Sequence, residues 1–465
     1  MGILAGFMVP HPPMIVPDVG RGSEQQIEET TAAYTRVAKE IAELAPDTII
    51  ITSPHSIMYA DYFHISPGSK AKGSFGSFRA PNVAFDETYD TELVQLLCRI
   101  AEEHHFPAGT LGERDKNLDH GTMVPLYFIR KYLPGAKIIR IGLSGLSLTD
   151  HYQLGIYIRD AVNTLDRKAV FVASGDLSHK LQTYGPYGFA PEGPLYDDRI
   201  MDVAKRAAFG EMLEFDPSFC QKAAECGHKS FVIMAGAFDG MSVKSEVYSH
   251  QDVTGVGYGI ASFRPTGDDE DRRFLKKFAE KLEKEREAAD PYARLAWFCV
   301  ENYVKYKRSI KIPNDLSESL LKILPEEIFK KQAGAFVSIH KCGDLRGCIG
   351  TILPTTDCIA QEIANNAASA SSRDRRFEPI TENELKFLDV SVDILSAPEP
   401  IDSREKLDVK RYGVIVTSGF KRGLLLPDLE GVDDVDTQVS IAMKKGGISP
   451  DEDYSLERFE VIRHK

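Results

Sequence analysis

Between residues 2 and 263, short apolar runs alternate with stretches of helical spacing, and few folds other than a layered α/β sheet accommodate that alternation. Ile49-Ile50-Ile51 is a β-branched run that suits a strand buried on both faces. Gly2–Val9, Lys137–Ile141 and Ala169–Ala173 read as further strands, and Val243–Tyr248 and Gly257–Phe263 close the series. Between them Gln25–Leu44, Glu92–His104, Thr122–Tyr132, Thr149–Leu165, Tyr196–Gly210 and Lys229–Phe238 read as helices. The first carries Ile27, Tyr34, Val37, Ile41 and Leu44 along one face.

The chain divides after this region. Gly267-Asp268-Asp269-Glu270-Asp271 is a polar break, followed by a charged helix over Lys276–Ala289. At 465 residues the chain is too long for one core. The sequence therefore predicts a first domain over residues 1–264, a charged helical linker over 265–289 and an α+β domain over 290–465. In the latter, Asp290-Pro291 opens a helix through Tyr306, and Lys341–Gly347 connects a strand over Ala333–His340 to one over Cys348–Ile352.

The formal net charge of −13 argues against nucleic acid as a partner. Seven cysteines, with no Cys-x-x-Cys, fit a reducing, cytoplasmic setting better than a disulfide framework. The sequence shows neither a signal peptide nor an uncharged run of membrane-spanning length, so no membrane association is expected.

Sites in open α/β sheets form beyond the carboxyl ends of strands. His11 follows the strand ending at Val9, His55 follows Ile49–Thr52, and His179 follows Ala169–Ala173. His120 stands just before a helix start. A lone histidine is ordinarily a surface or core residue with a local hydrogen bond, and His64, His104, His105, His151 and His250 are read that way. Four histidines at the loop ends of one domain are a different matter. Pro10, Pro12, Pro13 and Pro54 stiffen the backbone around His11 and His55, as a ligand set requires.

Met8-Val9-Pro10-His11-Pro12-Pro13, Ser53-Pro54-His55, Leu118-Asp119-His120-Gly121 and Ser174-Gly175-Asp176-Leu177-Ser178-His179 together resemble the motifs of class III extradiol ring-cleavage dioxygenases of the LigB type and of the related Memo proteins. The resemblance implies His11 and His55 as metal ligands, His179 as catalytic acid/base, and Asp176 and His120 as substrate-contacting or supporting residues. Its third ligand falls at Glu225-Cys226-Gly227-His228: ring-cleaving relatives use a glutamate there and Memo proteins a cysteine, so one of Glu225 and Cys226 is expected to bind. The competing reading makes Glu225 a helix-terminal acid and Cys226 a buried small residue.

Fe(II) is the cofactor this resemblance favours, with Zn or Cu as alternatives. Two imidazoles and a carboxylate leave positions on Fe(II) for a chelating catecholate and dioxygen, whereas a thiolate softens the site. The expected class is an oxidoreductase cleaving a catechol-like small aromatic substrate. The alternatives are a non-oxygenase metal or redox protein assisting a partner modification system, and a zinc hydrolase with His179 as base.

In the second half, Leu345-Arg346-Gly347-Cys348-Ile349-Gly350-Thr351 looks like the hallmark of the AMMECR-type domain, and Arg373-Asp374-Arg375-Arg376-Phe377-Glu378-Pro379 resembles its second motif. The fusion resembles the AmmeMemoRadiSam grouping, which implies a separate radical-SAM protein as partner; homo-oligomerisation stays open. Arg346 and Cys348 either face a second pocket or serve structure, Arg346 then making an ion pair and the glycines shaping a hairpin.

Overall fold

The computed structural model describes residues 2–113, 115–429 and 431–465. It separates into two compact units, Met1–Phe278 and Ala279–Lys465.

The strands of the first unit are β1 (Ile3–Val9), β2 (Thr48–Ser53), β3 (Phe63–His64), β4 (Lys70–Phe75), β5 (Ala80–Thr88), β6 (Ala108–Gly109), β7 (Lys137–Gly142), β8 (Ala169–Ser174), β9 (Met241–Gln251) and β10 (Tyr258–Asp268). Six of them form one sheet in the order β7-β2-β8-β1-β10-β9. The pairs β7/β2, β2/β8 and β8/β1 are parallel, while β10 runs antiparallel to both β1 and β9. Every residue of β2 and β8 is buried, so these central strands consist of unbroken apolar and small residues rather than an alternating pattern.

The parallel register lays the carboxyl ends side by side. Val9 pairs with Ser174, and Thr52 with Ala173. The loops after β1, β8 and β2 therefore leave the same edge of the sheet, each one strand spacing, about 4.8 Å, from the next. Helix Glu28–Leu44 places Tyr34, Val37 and Ile41 in the core, where Tyr34 stacks on Phe128 with ring centroids 4.4 Å apart.

The structure adds elements that the alternation did not announce. β4 and β5 form an antiparallel hairpin whose largely exposed, polar faces hide the strand signal. A helix over Pro217–Ala223 precedes Glu225. β10 continues to Asp268, so residues 265–268 of the predicted linker are strand, and helix Phe274–Ala288 occupies most of the remainder. The division between the two units falls inside that helix.

The second unit is α+β. Its strands are β11 (Gly334–Lys341), β12 (Asp344–Gly350), β13 (Leu388–Leu395), β14 (Glu399–Ile401), β15 (Tyr412–Ser418), β16 (Lys421–Leu425) and β17 (Ser455–His464), in the order β12-β11-β13-β17-β15-β16, with β14 paired to β17. Helices Pro291–Tyr306 and Ile359–Ala370 contribute to one core with β11 and β13, and helix Val435–Gly446 to another with β15.

The β11–β12 connection is tighter than the sequence suggests. Only Cys342 and Gly343 lie outside the strands, at φ 53° and 84°, which is the doubly left-handed form of a two-residue hairpin. Leu345, Arg346 and Gly347 are therefore strand residues, not turn residues, because Cys342 occupies a position where asparagine or aspartate is the usual sign. Gly347 is needed for close approach: a β-carbon there would lie 2.3 Å from the Ala370 carbonyl oxygen.

Arg346 makes the ion pair. Its Nε and Nη2 donate to the two carboxylate oxygens of Glu384 at 2.8 and 3.1 Å, and its Nη1 donates to the Glu378 carbonyl at 2.8 Å. Cys348 donates its N–H to Asp374 at 2.9 Å, and its sulfur accepts from the Ser338 hydroxyl at 3.3 Å. The two motifs of this unit thus meet through Asp374 and Arg376, whose Nη2 reaches the Cys348 carbonyl at 3.2 Å. Arg346→Met would remove the two-pronged partner of the largely buried Glu384 carboxylate, leaving it Lys341 at 3.6 Å and the Thr381 N–H at 2.9 Å. It is expected to destabilise this unit by about 1–2 kcal/mol in denaturant unfolding, whereas a change under about 0.5 kcal/mol would contradict the assignment.

Candidate metal centre

Two imidazoles and one thiol converge at the carboxyl edge of the first sheet. His11 Nε2 lies 3.0 Å from His55 Nε2 and 3.7 Å from Cys226 Sγ. Metal bonds of about 2.1 Å to nitrogen and 2.3 Å to sulfur separate neighbouring donors by roughly 3–3.6 Å, so the donor set fits a single ion. A second trio of donor atoms, from Asp176, His179 and Cys226, likewise lies within 4.8 Å of one another.

Each donor is held from behind. His11 donates its backbone N–H to Asp176 Oδ1 at 2.7 Å, and its ring Nδ1 lies 3.0 Å from Ser174 Oγ. The Tyr34 hydroxyl donates to the Pro10 carbonyl just before it. His55 donates its N–H to Ser53 Oγ at 3.2 Å, and that hydroxyl donates to Asp119 at 2.6 Å. Asp119 also caps helix His120–Ile129 by accepting from Thr122 N, and the buried Arg140 guanidinium stands 3.7 Å from it. The cap aims His120 at the site, with its ring centroid 4.0 Å from that of His55 and 5.4 Å from that of His11.

Cys226 arrives from the far side. A β-carbon on Gly175 would fall 2.1 Å from Gly227 Cα, so the main chains of the Asp176 loop and the Cys226 loop touch where neither has a side chain. The contact lets Asp176 N donate to Cys226 Sγ at 3.3 Å.

The structure separates the two residues between which the sequence left the third ligand open. Glu225 turns back on helix His228–Ala237, and its Oε2 accepts from His228 N at 2.6 Å. Burial pushes its carboxyl up to about 7, against the pull of those backbone N–H groups. Only the Cys226 sulfur reaches the two imidazoles.

Electrostatics favour neutral donors. Burial, and secondarily the neighbouring His55, lower the His11 imidazole to about 3, and burial lowers His120 to about 4. His55 is also lowered, chiefly by burial. Burial raises Asp176, and together with the Asp176 and Glu225 charges it pushes the Cys226 thiol well above its ordinary range. A cation reverses the last of these, because a coordinating thiol gives up its proton.

His179 sits beside this group with its Nδ1 buried and without a hydrogen-bond partner among the described residues. Its ring meets the exposed Tyr187 edge-on at 5.1 Å. Two aromatic neighbours were not singled out from sequence: Tyr187, and Phe78, whose ring lies 5.5 Å from that of His120. Phe78 belongs to the short turn between β4 and β5, the hairpin that apolar patterning missed. Ser174, Ser53 and Asp119 lay inside the histidine motifs without a role, and their places in those motifs were the available signal. Of the histidines set aside, His151 is buried, with Nδ1 2.8 Å from the Ser147 carbonyl, and His250 pairs with Asp197 at 2.8 Å. No helix among the described residues is long and apolar enough to cross a membrane.

The fold and the donor geometry together describe an α/β domain with a candidate metal centre at the carboxyl edge of its sheet. Residues 5–261 match the family described as the catalytic LigB subunit of aromatic ring-opening dioxygenase, and residues 293–464 match AMMECR1. The chain belongs to the LigB family and carries an AMMECR1 domain behind it. The Clostridium acetobutylicum protein CA_C1420 is 40% identical over 474 aligned residues that cover 100% of both chains. A Thermotoga maritima protein is 50% identical over 177 residues, covering 38% of this chain and 97% of its own. Similar crystal structures include Pyrococcus horikoshii PH0010, which covers 38% of this chain and 90% of its own at 29% identity and a TM-score of 0.34. Escherichia coli JW3007 covers 56% and 99% at 14% identity and a TM-score of 0.36.

Neutral burial of histidines has a cost in acid. His11 and His228 are lowered to about 3 and about 4, and His151 is also lowered by burial, so the unfolded chain binds protons on these groups below about pH 6.5 while the folded chain does not. Stability of the metal-free protein is therefore complete above about pH 6.5 and falls continuously towards about pH 3. Thermal midpoints across that window check this; a flat profile would contradict it.

Proposed function

We propose that the first domain is a mononuclear Fe(II) centre, held by His11, His55 and Cys226, for the oxidative ring opening of a catechol-like substrate. The observation that carries this reading is the convergence of these three donors beside His179, a histidine with an unengaged ring nitrogen. Iron bound there would supply adjacent open positions for a chelating diol and dioxygen.

The chain's own residues do the rest. His179 would take the second hydroxyl proton of a bound diol on its imidazole and return a proton later in the cycle. Asp176 fixes the His11 main chain and offers a carboxylate oxygen 3.9 Å from His11 Nε2. His120 and Phe78 form one aromatic wall, and Tyr187 another beside His179.

The thiol favours a second reading. A Cys226 donor in place of a carboxylate suits a metal or redox protein that assists a partner modification system, with copper or zinc as well as iron able to occupy the site. The two readings part in the assay. Anaerobic Fe(II) loading followed by oxygen uptake over a panel of catechols is expected to show turnover, and His179→Ala is expected to retain iron while losing at least about 100-fold in rate. A fully loaded protein that consumes no oxygen with any catechol would refute ring opening and leave the second reading. Cys226→Ala is expected to lose stoichiometric metal and Glu225→Ala to keep it, as read by elemental analysis of untagged protein; the reverse would refute the donor assignment.

A further inference from the structure

Helix His120–Ile129 contains a proline, Pro125. In a helix each N–H reaches the carbonyl four residues back. Proline has no N–H, and its ring crowds that carbonyl aside. The carbonyl that Pro125 leaves without its helical donor belongs to Gly121, and the Ser174 hydroxyl donates to it at 2.6 Å.

The hydrogens around Ser174 can then be counted. A hydroxyl has one hydrogen, and a carbonyl oxygen only accepts, so the Ser174 hydrogen is committed to Gly121. The other neighbour of Ser174 Oγ is His11 Nδ1 at 3.0 Å, in a setting where Ser174 is fully buried and His11 is 1% exposed. The oxygen has only lone pairs left, so Nδ1 carries the imidazole hydrogen. A neutral imidazole has a single N–H. His11 Nε2 therefore presents a lone pair, and it is this atom that faces His55 Nε2 and Cys226 Sγ. The opposite tautomer would set two lone pairs against each other in a buried site, where no water relieves them.

We propose that Pro125 and Ser174 are positioning residues that lock His11 in its Nδ1–H tautomer and so preset Nε2 as a donor. The tautomer stands on hydrogen bonds alone; its use for a metal rests on the reading of the centre given above. Neither residue touches the reacting atoms. Pro125 acts through Gly121 and Ser174, and Ser174 acts directly on His11. Restoring an N–H with Pro125→Ala supplies a competing donor to Gly121 and frees the Ser174 hydroxyl to turn towards His11.

The test uses the full chain with ¹⁵N-labelled histidine, metal-free and near neutral pH, with His11 assigned by the signals lost in His11→Ala. Wild-type protein is expected to show the Nδ1–H tautomer of His11 alone. Ser174→Ala and Pro125→Ala are expected to show a mixture. Zn(II) titrated against a competing chelator is expected to bind about 10–100-fold more weakly to Ser174→Ala. The Nε2–H tautomer in wild-type protein would overturn the proposal, as would Zn(II) affinity in Ser174→Ala within about twofold of wild type. Should Ser174→Ala fail to fold, the wild-type tautomer decides. A wild-type protein with the Nδ1–H tautomer that binds no Zn(II) would uphold the lock and refute the metal-centre reading instead.

Discussion

The site depends on a main-chain contact that no side chain could survive. Gly175 and Gly227 lie back to back, and a single β-carbon on either face of that contact would push the loops apart. On one side of it stand Asp176 and His179, and on the other Cys226. The sheet supplies the remaining geometry. Because β1, β8 and β2 are parallel neighbours, their carboxyl ends deliver His11, the Asp176 loop and His55 to one edge in that spatial order. Rigid strands set the spacing, and the two glycines close the gap to the fourth loop.

The chemistry then follows from burial. Burial favours the neutral form of the His11 and His55 imidazoles, and neutral imidazole is the form that binds a cation. The thiol and the Asp176 carboxyl are both raised by the same burial, so the pocket resists negative charge until a cation arrives. A divalent ion bound there would offset the charge of one thiolate and one carboxylate. Glu225, one residue from the donor position, is removed from this balance by capping the helix that follows it.

Much of this was legible in the sequence, for a physical reason. Strands buried on both faces carry continuous apolar runs, so β1, β2, β7 and β8 announce themselves, and the residues after them inherit a predictable location. The hairpin β4–β5 stayed hidden because its faces are mostly exposed and polar, and with it went Phe78. The choice between Glu225 and Cys226 was also out of reach. Adjacent residues at a helix start point in different directions, and which one faces inward is set by tertiary contacts, the Gly175–Gly227 approach and the hydrogen bond from His228 N to Glu225. The Cys342-Gly343 turn was missed because cysteine is an unusual occupant of a left-handed position.

X-ray absorption at the iron edge of the Fe(II)-loaded full chain tests the central claim most directly. A shell of one sulfur at about 2.3 Å, with scattering from two imidazoles, is the result this account requires. A shell of nitrogen and oxygen alone, with no sulfur contribution, would mean that the thiol of residue 226 stands apart from the ion.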